Sequence, residues 1–216
     1  MDTSPKLPIA LKTLEILEKF YPDAHCALDH RNPYELLVAT ILSAQCTDIR
    51  VNQVTKDFFR AYPDVDALAA ADIPALEEQI RSTGFFRNKA RHLKECAERI
   101  RRDFHGIVPA TLEELVTLPG IGRKTANVLL GNVFGIPGMV VDTHVKRISF
   151  RLGWSHHQEP AKIERDLCEL LPAQRWTQAG HVLIAHGRKI CKAPVPLCGI
   201  CPVADRCPKN GVKKYR

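Results

Sequence analysis

Four cysteines near one end of the chain constrain it more than any other feature. Cys191, Cys198, Cys201 and Cys207 fall within 17 residues, separated by six, two and five others. So dense a group in one short loop can wrap a single tetrahedral or cubane centre, whereas an oxidised extracellular framework spreads its cysteines more evenly. Pro194, Pro196, Pro202 and Pro208 stiffen that wrap. Zinc and iron–sulfur clusters both accept four thiolates. A zinc ribbon, however, presents two close pairs, and here only Cys198 and Cys201 make one. Four free buried thiols are the bland alternative, and the density of the group weighs against it. The remaining cysteines, Cys26, Cys46, Cys96 and Cys168, are dispersed in apolar or helical text.

The text around the cysteines is helical. Asn32-Pro33-Tyr34-Glu35 supplies a cap, a proline at the first helical position and an acidic residue before a long apolar run. Thr47 and Asp72 open further helices, and Ala90, Leu93, Ala97, Ile100 and Phe104 recur at spacings of three and four. Thr111 and Glu114 predict a capping box. Helices are also expected over 7–20, 123–134, 142–152, 159–171 and 175–190, about ten in all with no sheet. The fold class is all-α. A chain of 216 residues makes one or two domains, and Gly135-Ile136-Pro137-Gly138 is the best seam.

Charge narrows the partners. Lys and Arg number 31 against 24 Asp and Glu, giving +7 and a pI near 9.0, which favours an anionic partner. No apolar run approaches the ~20 residues of a membrane span, and the first residues lack the pattern of a secretory signal. The expectation is a cytoplasmic protein (nucleoid-associated in a bacterium) that needs no membrane.

Leu118-Pro119-Gly120-Ile121-Gly122-Arg123-Lys124-Thr125 lies between two helical segments. Gly120 and Gly122 let backbone N–H groups approach an anion, and the following helix N-terminus adds partial positive charge. Such a cradle suits a DNA backbone and ignores base sequence. A nucleotide P-loop is a poor reading, because Arg123 separates glycine from lysine and a helix precedes the turn. Lys124, beside Arg123 at a helix start, sits where dipole and like charge favour the neutral amine, which can attack an electrophilic carbon. Most lysines so placed merely touch phosphate. Asp142, after two valines and before a helix, is a natural N-cap whose carboxylate could also steady positive charge on a sugar. His144, in the first turn, is more an orienter than a base. Arg188, Lys189 and Lys192 flank the first cysteine of the cluster.

With LSAQCTD near the front, LPGIGRKTAN, VVDTHVKR and HGRKIC running into the cysteine spacing, the chain resembles the endonuclease III family of DNA glycosylases. These motifs span Leu42 to Cys207 in the family's order. The resemblance implies a helix–hairpin–helix glycosylase fold, with a six-helix barrel over 26–136. It also implies a second helical domain from 1–25 and 137–216 that holds a [4Fe–4S] cluster on the four cysteines, and DNA in the cleft between. It makes Lys124 and Asp142 the catalytic pair of a bifunctional glycosylase and abasic-site lyase acting on damaged pyrimidines in duplex DNA. It makes Gln45, Thr83 and Phe85 the residues that fill the gap left by a flipped base. Gly120, Gly122, Arg123, His144 and Lys192 become further DNA contacts, on a protein acting as a monomer.

Two departures accompany the match. Val116 stands where some relatives carry an acidic residue, and Cys46 adjoins the proposed wedge. The competing readings are a non-catalytic DNA-binding module with a structural metal, and a glycosylase of different base specificity. Lysine at position 124 speaks against the adenine-specific and mismatch-specific relatives, which usually lack it.

Overall fold

The computed structural model describes residues 6–216. Among them are eleven α-helices and no strand. They are α1 (Lys6–Phe20), α2 (Pro33–Leu42), α3 (Asp48–Ala61), α4 (Val65–Ala69), α5 (Ile73–Ile80), α6 (Phe86–Asp103), α7 (Leu112–Leu115), α8 (Arg123–Val133), α9 (Thr143–Arg151), α10 (Pro160–Leu170) and α11 (Trp176–Lys189). The chain divides into two compact units, one of residues 26–136 and one of 1–25 with 137–216.

Short polar side chains set the helix starts. Asn32, Thr47, Asp64, Asp72, Thr111 and Asp142 each accept a hydrogen bond from the backbone N–H three residues on. At Thr111 the expected reciprocal box takes another form. Its hydroxyl accepts from Glu114 N at 3.3 Å and donates to Glu114 Oε2 at 2.7 Å. The helix that follows, α7, ends at Leu115. Pro119 disfavours helical backbone in the residue before it, so the chain turns there.

In the 26–136 unit α2 is buried from Tyr34 to Leu42 and packs against α3, α6 and α8. A helix buried on all sides has no solvent face to keep, and here it forms the centre of the unit. Phe58, Leu68, Leu76, Ile80, Leu93 and Ile100 close around it. The predicted apolar face of α6 is buried at Ala90, Leu93, Ala97 and Ile100.

The second unit buries Leu14 and Leu17 of α1, Val145 and Ile148 of α9, Ile163 and Leu167 of α10, and Val182 and Leu183 of α11. The α9–α11 approach is unusually close. A Cβ added at Gly187 would lie 2.7 Å from His144 Nδ1, so only glycine fits there.

Candidate nucleic-acid interface and cysteine centre

The hairpin is pinned by its apolar residues. Leu118 and Ile121 are buried in the core of the 26–136 unit, which leaves Gly120, Gly122, Arg123 and Lys124 exposed. Gly120 is left-handed at φ +79°, and a Cβ there would come within 3.0 Å of His92. No side chain caps α8, whose N-cap is Gly122. The first-turn N–H groups of α8 therefore meet no capping side chain, which is the condition for anion binding at a helix start. Lys124 is the second residue of that helix.

Two further turns of the same unit hold the proposed gap-filling residues. Gln45 (φ +54°) and Phe85 (φ +49°) are both left-handed, a rare backbone state for residues other than glycine. Gln45 is exposed, and Phe85 is 62% exposed although it is a large apolar side chain. Thr83 faces the other way. It is buried, and its hydroxyl donates to Ile80 O at 2.8 Å. The exposed members of the two turns are therefore Gln45 and Phe85, with Thr83 supporting its turn from beneath. Lys89, not singled out in the sequence, is 4% exposed, and its ammonium donates to Leu42 O and Thr83 O at 2.8 Å each. Val116 is exposed.

In the other unit Asp142 caps α9, accepting from Val145 N at 2.8 Å, and is half-buried. His144, one residue into α9, is held by Arg147, whose Nη2 donates to His144 Nδ1 and to Gly187 O at 3.1 Å each. His144 thus packs into the α9–α11 contact, and Lys192 stays exposed.

The four cysteines are free, half-buried and share the lining of one cavity with Ile148, His186 and Val203. Among the described residues no three His, Cys, Asp or Glu side chains gather closely enough to hold one metal ion. What the four thiols share is a wall. Cations hold that wall from α9: Arg151 Nη1 donates to Cys191 Sγ at 3.2 Å and to Lys192 O at 2.9 Å, and Arg147 Nε donates to Cys191 O at 3.0 Å. Cys207 Sγ donates to Arg151 O at 3.3 Å. Tyr21 and His186 close the inner side, with the phenol 3.0 Å from His186 Nδ1. Burial lowers the His186 pKa to about 4, with Arg147 adding to the shift, so its ring is neutral near pH 7. Burial also pushes the thiols of Cys198, Cys201 and Cys207 up. Four soft donors backed by two guanidinium groups fit a group that carries net negative charge, as a cluster on four thiolates does.

These features together define a DNA-repair protein of the helix–hairpin–helix class, and the profile of the HhH-GPD superfamily of base excision DNA repair proteins matches residues 38–173. Within that class the chain belongs to the endonuclease III family. The endonuclease III of Synechocystis sp. is 54% identical over 200 residues, which is 92% of this chain and 91% of that protein. Two solved structures, a non-covalent endonuclease III–DNA complex and a trapped endonuclease III–DNA covalent intermediate, each superpose with a TM-score of 0.88 at 43% identity. Each alignment covers 93% of this chain and 94% of the other. No helix among the described residues is long and apolar enough to cross a membrane.

Proposed function

We propose that this base excision repair enzyme removes oxidised or otherwise damaged pyrimidines from duplex DNA and then cuts the strand at the abasic site. The observation that carries this reading is Lys124, exposed on the first turn of an uncapped helix directly after a glycine hairpin that can hold phosphate. The Lys124 amine, once it has given up its proton, attacks C1′ of the flipped nucleotide. The C1′–N bond breaks, its electron pair leaving with the base, which takes up a proton. The C1′–O4′ bond then breaks, O4′ taking up a proton, and leaves a protonated Schiff base at C1′. That cation acidifies C2′; loss of a C2′ proton expels the 3′ phosphate and breaks the C3′–O bond. The Asp142 carboxylate offsets positive charge at the sugar in the first step. Gly120, Gly122, Arg123 and Lys192 hold phosphates, His144 orients the α9 start, and Gln45 and Phe85 fill the vacated stack.

Cys191, Cys198, Cys201 and Cys207 would hold a [4Fe–4S] cluster, which when bound supplies a structural clip for the loop. Arg147 and Arg151 offset its charge. The enzyme works as a monomer in the cytoplasm, at the nucleoid in a bacterium.

Borohydride added to protein and abasic-site duplex is expected to trap a covalent complex, with the adduct mapped to Lys124 by mass spectrometry. Lys124→Ala is expected to abolish trapping while still binding duplex. Complete turnover with no adduct on Lys124 would overturn the mechanism, and binding without turnover would leave a DNA-binding module.

A further inference from the structure

Lys89 is a charged side chain in the core of the 26–136 unit, 4% exposed. Burial lowers its pKa from the ordinary lysine value, with Cys46 acting the other way. A buried ammonium is unfavourable unless its donors are met. Its two acceptors are specific. Leu42 ends α2, and Thr83 ends the 3₁₀ turn of Arg81–Thr83. Terminal carbonyls of that kind have no partner within their own helix.

Each carbonyl lies just before a left-handed residue, Gln45 three positions after Leu42 and Phe85 two positions after Thr83. Left-handed backbone outside glycine is sterically unfavourable and persists where surroundings over-determine it. Phe85 is tied to Lys89 a second time, since Lys89 N donates to Phe85 O at 3.1 Å. Gln45 and Phe85 are 40 positions apart in sequence, and one ammonium reaches the roots of both turns.

We propose that Lys89 is a positioning residue that locks the Gln45 and Phe85 turns in one register, so that both side chains enter the vacated stack as a unit. This rests on the gap-filling reading given above for those two residues. Without the bridge each turn relaxes separately, and the base flips back faster than the chemistry captures it. Positioning errors of about an ångström cost on the order of a hundredfold in rate.

Lys94 supplies a matched control on the same helix, because its ammonium also bridges two carbonyls, Ala69 O at 3.0 Å and Ala71 O at 2.7 Å, away from either turn. Lys89→Met, Lys94→Met, Gln45→Ala and Phe85→Ala are compared by single-turnover excision from lesion duplex, by 2-aminopurine fluorescence of the flipped state, and by borohydride trapping on a single-stranded abasic oligonucleotide. The single strand has no stack to fill. Lys89→Met is expected to lower duplex excision by roughly ten- to a hundredfold, to reduce the 2-aminopurine signal, and to leave single-strand trapping and KM within about twofold. Lys94→Met is expected to leave all of these near the parent. Added to the double variant Gln45→Ala/Phe85→Ala, Lys89→Met should cause little further loss. If Lys89→Met melts below the assay temperature, Lys89→Gln, too short to bridge both carbonyls, is read in the same way.

Duplex excision unchanged in Lys89→Met, or falling in step with single-strand trapping, would overturn the positioning role. Gln45→Ala and Phe85→Ala without effect would instead remove the gap-filling reading, and the Lys89 proposal with it.

Discussion

Asp142 combines two roles that a single pair of substitutions can separate. Its Oδ1 accepts from Val145 N at 2.8 Å, which caps α9, and its charge is the proposed partner of a cationic sugar. Asparagine caps as well as aspartate but carries no charge. Asp142→Asn should therefore keep unfolding free energy within about 0.5 kcal/mol of the parent and lose excision by roughly a hundredfold or more. Asp142→Ala should lose activity and about 1 kcal/mol of stability as well. Urea unfolding with single-turnover kinetics decides between them, and an Asn variant as active as the parent would reduce Asp142 to a cap. Gly187→Ala tests packing alone. The added Cβ would meet the His144 ring below 3 Å, so a loss of about 1–3 kcal/mol in urea unfolding is expected. At this scale the Asp142 cap and the left-handed hairpin glycine are legible in sequence because their geometry is local. The inward turn of Thr83 and the bridge from Lys89 are not. A lysine among charged helical text reads as surface, and its acceptor at Leu42 lies 47 positions away.

The elements follow from local chemistry except where they are too short to carry a period. The pattern of apolar spacing predicts α6 and its buried face, but α4 has only five residues and no periodicity to show. Its one sequence signal is Asp64, which accepts from Ala67 N at 2.8 Å. A helix that short is unstable alone in water, and α4 exists because it lies along α6. Leu68 is fully buried there, and Lys94 of α6 donates to Ala69 O and Ala71 O. Lys94→Met keeps the apolar stem and removes both charge-assisted bonds. The expected loss is about 1–3 kcal/mol, read by urea unfolding. Hydrogen exchange should become faster at the amides of Leu68 and Ala70, which α4 protects. Unchanged exchange would mean that apolar packing alone holds α4.

Across the whole chain the positive charge is not shared between the units. Residues 26–136, which include the hairpin and Lys124, contain fourteen Lys and Arg and fourteen Asp and Glu. Residues 188–216 contain eight Lys and Arg against the single acidic Asp205, a net charge equal to the entire +7. The hairpin unit thus offers backbone donors without net charge, while long-range attraction for a polyanion resides in the segment built around the cysteines. That segment is anchored by main-chain bonds, Gly199 N donating to Arg216 O at 2.8 Å and Arg216 N to Pro196 O at 2.9 Å, with Lys213 and Lys214 exposed beside them. Affinity for undamaged duplex should fall steeply with salt. Lys213→Ser/Lys214→Ser should make the log–log slope shallower by up to about 1.8, at ~0.9 for each phosphate no longer neutralised. Melting temperature and single-strand trapping should stay at the parent level, because neither Lys124 nor either core is touched. The cysteines make a stronger demand. If a [4Fe–4S] cluster shapes this loop, purified protein contains iron and sulfide. Cys201→Ala should then flatten the salt slope further than the double lysine variant does, since every charge on the loop loses its fixed place. A zinc-containing, iron-free protein with the parent slope would refute the cluster. A Cys201→Ala slope equal to the parent's would show that the cations grip DNA without needing the cysteines to order them.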